Sequence, residues 1–192
     1  MILSFFPLYQ MPLGGDVTFA ATLPICIYAY RRGAKSGFLA AFAYSLFQLL
    51  LGLKNLSYAT SFTSAAAIVL FDYVVAYTLF GITAYFGKLG GDSKRFKSAV
   101  MLSLGAFVSC VLRFLSHLVS GSVVWYSLTR EWYADDPGHI VFSLSEWGYS
   151  FVYNISYMLP ETIATVLAAF IIAMFLNFKA PNLRYPSLRK EG

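Results

Sequence analysis

Charge is scarce in this chain. Of its 192 residues only 12% are Asp, Glu, Lys or Arg, about half the share of an ordinary soluble domain. Histidine and cysteine each occur twice. Cys26 and Cys110 lie in apolar stretches without a CxxC spacing, which argues against a disulfide framework or a zinc site and makes them small core residues. No GxSxG, HExxH, paired-aspartate or phosphate-loop pattern is present, so the chain cannot hydrolyse ATP by itself. His117 has Ser116 and Ser120 nearby, but neither stands four residues away on its helical face. No Lys or Arg precedes Arg31 and no small-residue cleavage site follows a short apolar run, so the N-terminus does not read as a signal peptide. The formal net charge is +5. Its positive residues lie between apolar runs, a pattern of loops that argues against nucleic acid as a partner.

Apolar residues are abundant: 58% are hydrophobic, 18% aromatic, and the mean hydropathy is +0.65. A spanning helix needs about 20 apolar residues, so the length holds about five or six spans and no separate soluble domain. The fold class is therefore an all-α integral membrane bundle, one transmembrane domain over residues 1–192. Full spans are expected at about Gly37 to Leu53, Thr63 to Phe86, Ser98 to Val119 and Tyr149 to Phe178. Val17 to Tyr30 is expected as a fifth, short span, kinked at Pro24 where a backbone donor is missing. Met1 to Tyr9, halted by Pro7 and the Met11-Pro12-Leu13-Gly14-Gly15-Asp16 turn signal, is either the outer end of a first helix or an interfacial segment. Small residues at Gly37, Ala41 and Ser45 form a small-xxx-small face suited to packing inside the bundle.

Orientation follows from Lys and Arg, which collect in cytoplasmic loops. Arg31, Arg32 and Lys35 follow one span, Lys88, Lys94, Arg95 and Lys97 another, and Lys179, Arg184, Arg189 and Lys190 the last. The intervening connections hold only Lys54 and Arg130. The C-terminus is thus expected to be cytoplasmic, with residues 179–192 a basic tail and residues 120–148 a long external loop. That loop holds Trp125, Trp132 and Trp147. The last two suit an interfacial aromatic belt, whereas Trp125 stands at the mouth of any cavity lined by the helix of His117.

Ionisable groups inside spans are costly and usually face a cavity or a partner. There are four, Asp72, Arg113, His117 and Glu161. Arg113 and His117 are spaced i, i+4 and share a helical face. Asp72 is expected either to line a cleft or to pair with Arg113. Glu161, just after Pro160, serves either a broken helix or a ligand. Tyr149, Tyr153, Asn154 and Tyr157 open the last span from the same side. One carboxylate, a guanidinium, an imidazole, an amide and several rings suit a flat, positively charged heteroaromatic solute, because aromatic faces attract cations.

The sequence resembles the thiamine-specific S-component, the substrate-binding membrane subunit, of energy-coupling factor (ECF) transporters. The likeness runs from Met11 to about Phe178. It is carried by Met11-Pro12-Leu13-Gly14-Gly15-Asp16-Val17-Thr18, Leu23-Pro24-Ile25, the Arg31 to Gly37 loop, Phe71-Asp72-Tyr73, Leu112-Arg113-Phe114 with His117 and Gly121, and Trp147-Gly148-Tyr149-Ser150 continuing to Tyr153-Asn154 and Tyr157-Met158-Leu159-Pro160.

The resemblance implies a six-helix S-component bundle with an external-facing vitamin site, here with the first helix apparently truncated: five full spans plus a short N-terminal segment. Asp72 takes the place of the acid that faces the aminopyrimidine, Tyr73 that of its aromatic neighbour, and Arg113 that of a basic residue. His117, Trp125, Tyr149 and Asn154 fall where the family uses a ring, a stacking aromatic, a tyrosine and an amide. Thr18, Tyr153 and Glu161 form a second tier.

The function implied is high-affinity thiamine binding and uptake in the cell membrane, with no cofactor. The partners implied are a transmembrane coupling subunit, two ATPases and the lipid bilayer. The alternatives are an S-component for another flat vitamin or precursor, hydroxymethylpyrimidine or a pyridoxine-like solute, and a membrane enzyme using His117. Both the charge alternation and the resemblance lead to the expectation that the coding frame continues upstream of Met1 for about ten to twenty residues, enough to complete a span at 1.5 Å per residue.

Overall fold

A computed structural model describes residues 7–10, 16–18, 20–90 and 94–185. Two short strands, β1 (Pro7–Gln10) and β2 (Asp16–Thr18), pair antiparallel with Gln10 opposite Asp16. Five helical rods follow: α1 (Leu23–Arg32), α2 (Ala34–Leu51), α3 (Phe62–Gly90), α4 (Arg95–Trp132) and α5 (Glu146–Phe175). Short 3-10 turns at Leu53–Tyr58 and Ile140–Phe142 occupy two of the connections. By length and composition, α2 to α5 are each able to cross a membrane.

The all-α membrane bundle stands, with corrections in its details. Pro7 to Gln10 is a strand, not the end of a helix; Met1 to Phe6 lie outside the described residues. The expected span from Val17 to Tyr30 divides, with Val17 in β2 and the helix beginning only at Leu23. Pro24 does not kink it. It occupies the first turn, where a missing N–H leaves no intrahelical bond unmade. The ten residues of α1 rise about 15 Å, half a bilayer core. Helix α4 continues to Trp132, so the first half of the expected loop over residues 120–148 is helical. Its apolar residues Val124 and Leu128 are buried, and that packing carries the helix onward.

Between α1 and α2 the chain reverses at Gly33, whose φ of +85° favours glycine. The two helices then approach closely: a Cβ added at Gly37 would stand 2.9 Å from the Cβ of Ala29. Gly37, Ala41 and Ser45 are all buried, so the small-residue face packs inside the bundle as its sequence suggested. The same small-residue logic operates elsewhere in the core, where Ala99, Ala106, Ala169 and Ala173 are fully buried beside Cys26 and Cys110, both free thiols. Thr83 bridges α3 to α4 through Ser109 Oγ at 3.0 Å. Large apolar side chains such as Leu39, Phe107 and Leu167 point outward instead.

One end of the bundle gathers basic residues. Lys179 Nζ donates to the Tyr30 carbonyl at the end of α1 (2.9 Å), Arg31 reaches Pro181 O (3.4 Å), and the Arg95 guanidinium lies 5.3 Å from the Tyr185 ring. The segment after α5 thus folds back across the ends of α1 and α4. The candidate site lies in the opposite half, where α2 ends and α5 begins.

Candidate functional site

Both long central helices lose α geometry beside the site. In α3 the stretch Ile68–Val74 is a π-helix, and in α4 so is Gly121–Trp125. A π turn bonds i to i+5, bulges outward and frees carbonyls that α geometry would consume. Neighbouring side chains take those carbonyls up. Ser116 Oγ donates to Phe71 O at 2.6 Å, Ser150 Oγ to Leu118 O at 2.9 Å and Thr129 Oγ1 to Trp125 O at 2.7 Å. The wide turns are therefore fixed in place, and they carry Asp72, Tyr73 and Trp125.

These turns border a cavity lined also by α2, by β2 and by the first half of α5. All ten residues singled out from the sequence line it: Asp72, Tyr73, Arg113, His117, Trp125, Tyr149 and Asn154, with Thr18, Tyr153 and Glu161. Sequence reasoning missed Gln48, Asn55, Tyr77 and Thr129 as lining residues. Gln48 had left a signal as the lone amide in an apolar run, and Tyr77 lies near Asp72 on the same rod.

Charge inside the cavity is organised in two groups. The first centres on Asp72, which is buried. Its Oδ2 accepts from Trp125 Nε1 at 2.9 Å and its Oδ1 lies 3.2 Å from His117 Nδ1. His117 Nε2 is buried without a partner among the described residues. The second centres on Arg113, whose Nη1 donates to Glu161 Oε2 at 2.7 Å. Glu161 Oε1 accepts from Thr18 Oγ1 at 2.6 Å, and the Arg113 guanidinium sits 4.9 Å from the Tyr77 ring. Of Asp72's two readings, lining a cleft or pairing with Arg113, the geometry gives the first. Arg113 is satisfied by Glu161 because both project from the closely packed α4 and α5, whereas Asp72 on its π turn faces the outer half of α4. Of Glu161's two readings the geometry supports neither alone: its carboxylate bonds protein groups at both oxygens and still lines the cavity.

The remaining residues supply walls. Tyr73 donates to Gly52 O at 3.1 Å and accepts from Asn55 Nδ2 at 2.9 Å, anchoring the end of α2. Asn154 donates to Ser150 O at 2.9 Å and accepts from Tyr157 Oη at 2.8 Å, so its amide is oriented by its own helix. Tyr149, Tyr153 and Tyr157 follow one another along α5 with ring centroids 6.0 and 6.1 Å apart. Trp125 meets Tyr58 edge-on at 6.2 Å. Such a chamber, with one carboxylate free of any cationic Lys or Arg partner and rings on several sides, can hold a flat cation by charge and by π faces together. Ser116, next to His117, spends its hydroxyl on Phe71 O.

Residues 1–183 match the protein family described as Thiamine transporter protein (Thia_YuaJ). The chain belongs to this family. Its membership, with four helices able to cross the bilayer, makes the chain a multi-pass membrane protein of transport and not an enzyme. Among curated relatives, the chain is similar to "Thiamine transporter ThiT" of Bacillus subtilis (strain 168), at 28% identity over 178 residues, 91% of this chain and 81% of that protein. The site residues that the resemblance implied, from Thr18 to Glu161, all line one cavity.

Proposed function

We propose that the protein binds thiamine in this cavity and takes it up as the substrate-specific subunit of an ECF-type transporter. The observation that carries the reading is Asp72. It is a buried carboxylate held by Trp125 and His117, with Arg113 already neutralised by Glu161. A monocation such as thiamine, charged at its thiazolium ring, supplies the missing positive charge to the chamber. Asp72 faces the aminopyrimidine, Trp125 and Tyr149 offer ring surfaces, and His117 and Asn154 provide polar contacts, with Tyr73 and Arg113 shaping the floor. Thr18, Tyr153 and Glu161 complete the enclosure. The basic residues gathered at the far end support a cytoplasmic C-terminus and an outward-facing cavity. The tail over residues 179–192 is then cytoplasmic and the connection before α5 external.

No phosphate-loop motif exists in the chain, so energy for uptake comes from a separate module of a transmembrane coupling subunit and two ATPases. Isothermal titration of the purified protein tests the reading. Thiamine is expected to bind far more tightly than pyridoxine or hydroxymethylpyrimidine, both of which lack its cationic thiazolium ring. Preference for either of those would move the assignment to another vitamin.

A further inference from the structure

A second cavity lies behind two of the site tyrosines. Tyr133, His139 and Ile140, from the connection between α4 and α5, close one side, and α5 supplies Tyr149, Tyr153 and Ser156. Tyr149 and Tyr153 also line the main cavity, so they form a wall shared by both. The outer chamber is built of rings. His139 stacks on Tyr133 at 3.9 Å with planes 14° apart, and its centroid is 6.4 Å from that of Tyr149. The imidazole is held by the backbone, since its Nδ1 accepts from the Val141 N–H at 3.3 Å. From there the rings of Tyr149, Tyr153 and Tyr157 continue into the main cavity without interruption.

The connection that closes this chamber is acidic, apart from Arg130, whose guanidinium lies 5.3 Å from the Phe142 ring. Glu131, Asp135, Asp136 and Glu146 are four of the nine acidic residues in the chain, and no Lys or Arg occurs between Arg130 and Lys179. Asp135 and Asp136 are exposed, and Asp136 Oδ1 fixes the turn by accepting from the Gly138 N–H at 3.2 Å. An aromatic chamber closed by a connection rich in carboxylates concentrates cations: the field draws them in and the π faces hold them.

We propose that this second cavity is an antechamber, a transient subsite for an aromatic cation before it passes Tyr149 and Tyr153 to reach Asp72. The proposal rests on the reading of the main cavity as the thiamine site. The two chambers divide the work by chemistry. The outer one has rings and a solvated acidic connection nearby but, among the described residues, no buried counter-ion, so it captures weakly and releases readily. The inner one has Asp72.

Stopped-flow tryptophan fluorescence with thiamine on the purified full chain tests this. The variants are the double substitution Asp135→Asn and Asp136→Asn, Tyr133→Leu, and His139→Asn, which keeps an acceptor for the Val141 N–H while deleting the ring. Association and dissociation rate constants are expected to fall together, by about threefold or more, with Kd held within about twofold because the end states are untouched. The charge variant, confined to the surface and independent of the chamber's packing, is also expected to flatten the salt dependence of association. Unchanged rates and salt dependence in all three variants would overturn the antechamber. So would a rise in dissociation rate with a matching loss of affinity, which would place these groups on the ligand in its final position. Wild-type protein that fails to bind thiamine at all removes the main-site reading itself, a result distinct from either.

Discussion

Trp125 donates its indole N–H to Asp72, 2.9 Å away, and each residue stands in a π-helical turn of its own helix. Two helices that both depart from α geometry thus meet through one charge-assisted hydrogen bond, at the wall of the cavity.

Replacing Asp72 tests the centre of the site. Asp72→Asn keeps an oxygen for the Trp125 N–H but deletes the negative charge. Thiamine affinity is expected to fall by about 2 to 4 kcal/mol, the usual loss when one partner of a buried charged contact is removed. Calorimetry on the folded variant measures it, and unchanged affinity would reduce Asp72 to a structural member.

Trp125 gives an optical readout. Thiamine is expected to quench tryptophan fluorescence, and Trp125→Phe to abolish most of that quenching. Trp132→Phe, at an exposed ring, is expected to retain it. Loss of signal in the Trp132 variant alone would identify the wrong ring.

Glu161 separates stability from binding. Glu161→Leu leaves the buried Arg113 without its carboxylate, and the folded state is expected to lose about 3 to 5 kcal/mol, as for other broken buried pairs. Thr18→Val removes only a hydrogen bond to Glu161, and about 1 to 2 kcal/mol is expected. Thermal unfolding in detergent ranks the two; equal losses would contradict the pairing described.

Gly121 is a spacing test. A Cβ there would collide with Ser150 Oγ and stand 3.1 Å from Asn154 Nδ2. Gly121→Ala is expected to force α5 away from α4 at the cavity, costing about 1 to 3 kcal/mol of stability and weakening thiamine binding as Asn154 shifts. A variant with wild-type melting and affinity would show that the two helices have slack at this level.

Much of the site was legible because an ionisable residue in an apolar run is conspicuous. Asp72, Arg113, His117 and Glu161 announce themselves, and the fold places all four on one cavity. Their pairing was not legible. Which carboxylate meets Arg113 depends on how each helix is rotated, and a π turn resets that rotation without a marker in composition. Hydropathy likewise located the rods but not their ends. Residues 120–132 look like the start of a loop by polarity, yet Val124 and Leu128 pack inward and prolong α4. Pro24 reads as a kink on spacing alone, and only the helix start at Leu23 reveals it as a first-turn residue. Gln48 and Asn55 escaped notice because a single amide at the end of an apolar helix has too many ordinary explanations.

The closure of Arg113 on Glu161 also sets an electrical balance sheet for the membrane. Among the described residues, and counting His117 as uncharged, the formal charges lining the cavity are −1 at Asp72, +1 at Arg113 and −1 at Glu161, a net of −1. A monocation anywhere in the cavity brings that sum to zero. Net charge at bilayer depth is expensive, so any reorientation of this bundle in the lipid meets a lower electrostatic barrier when the cavity is filled than when it is empty. Occupancy would then be sensed through the bilayer itself, and a neutral ligand of the same shape would fill the chamber without lowering that barrier.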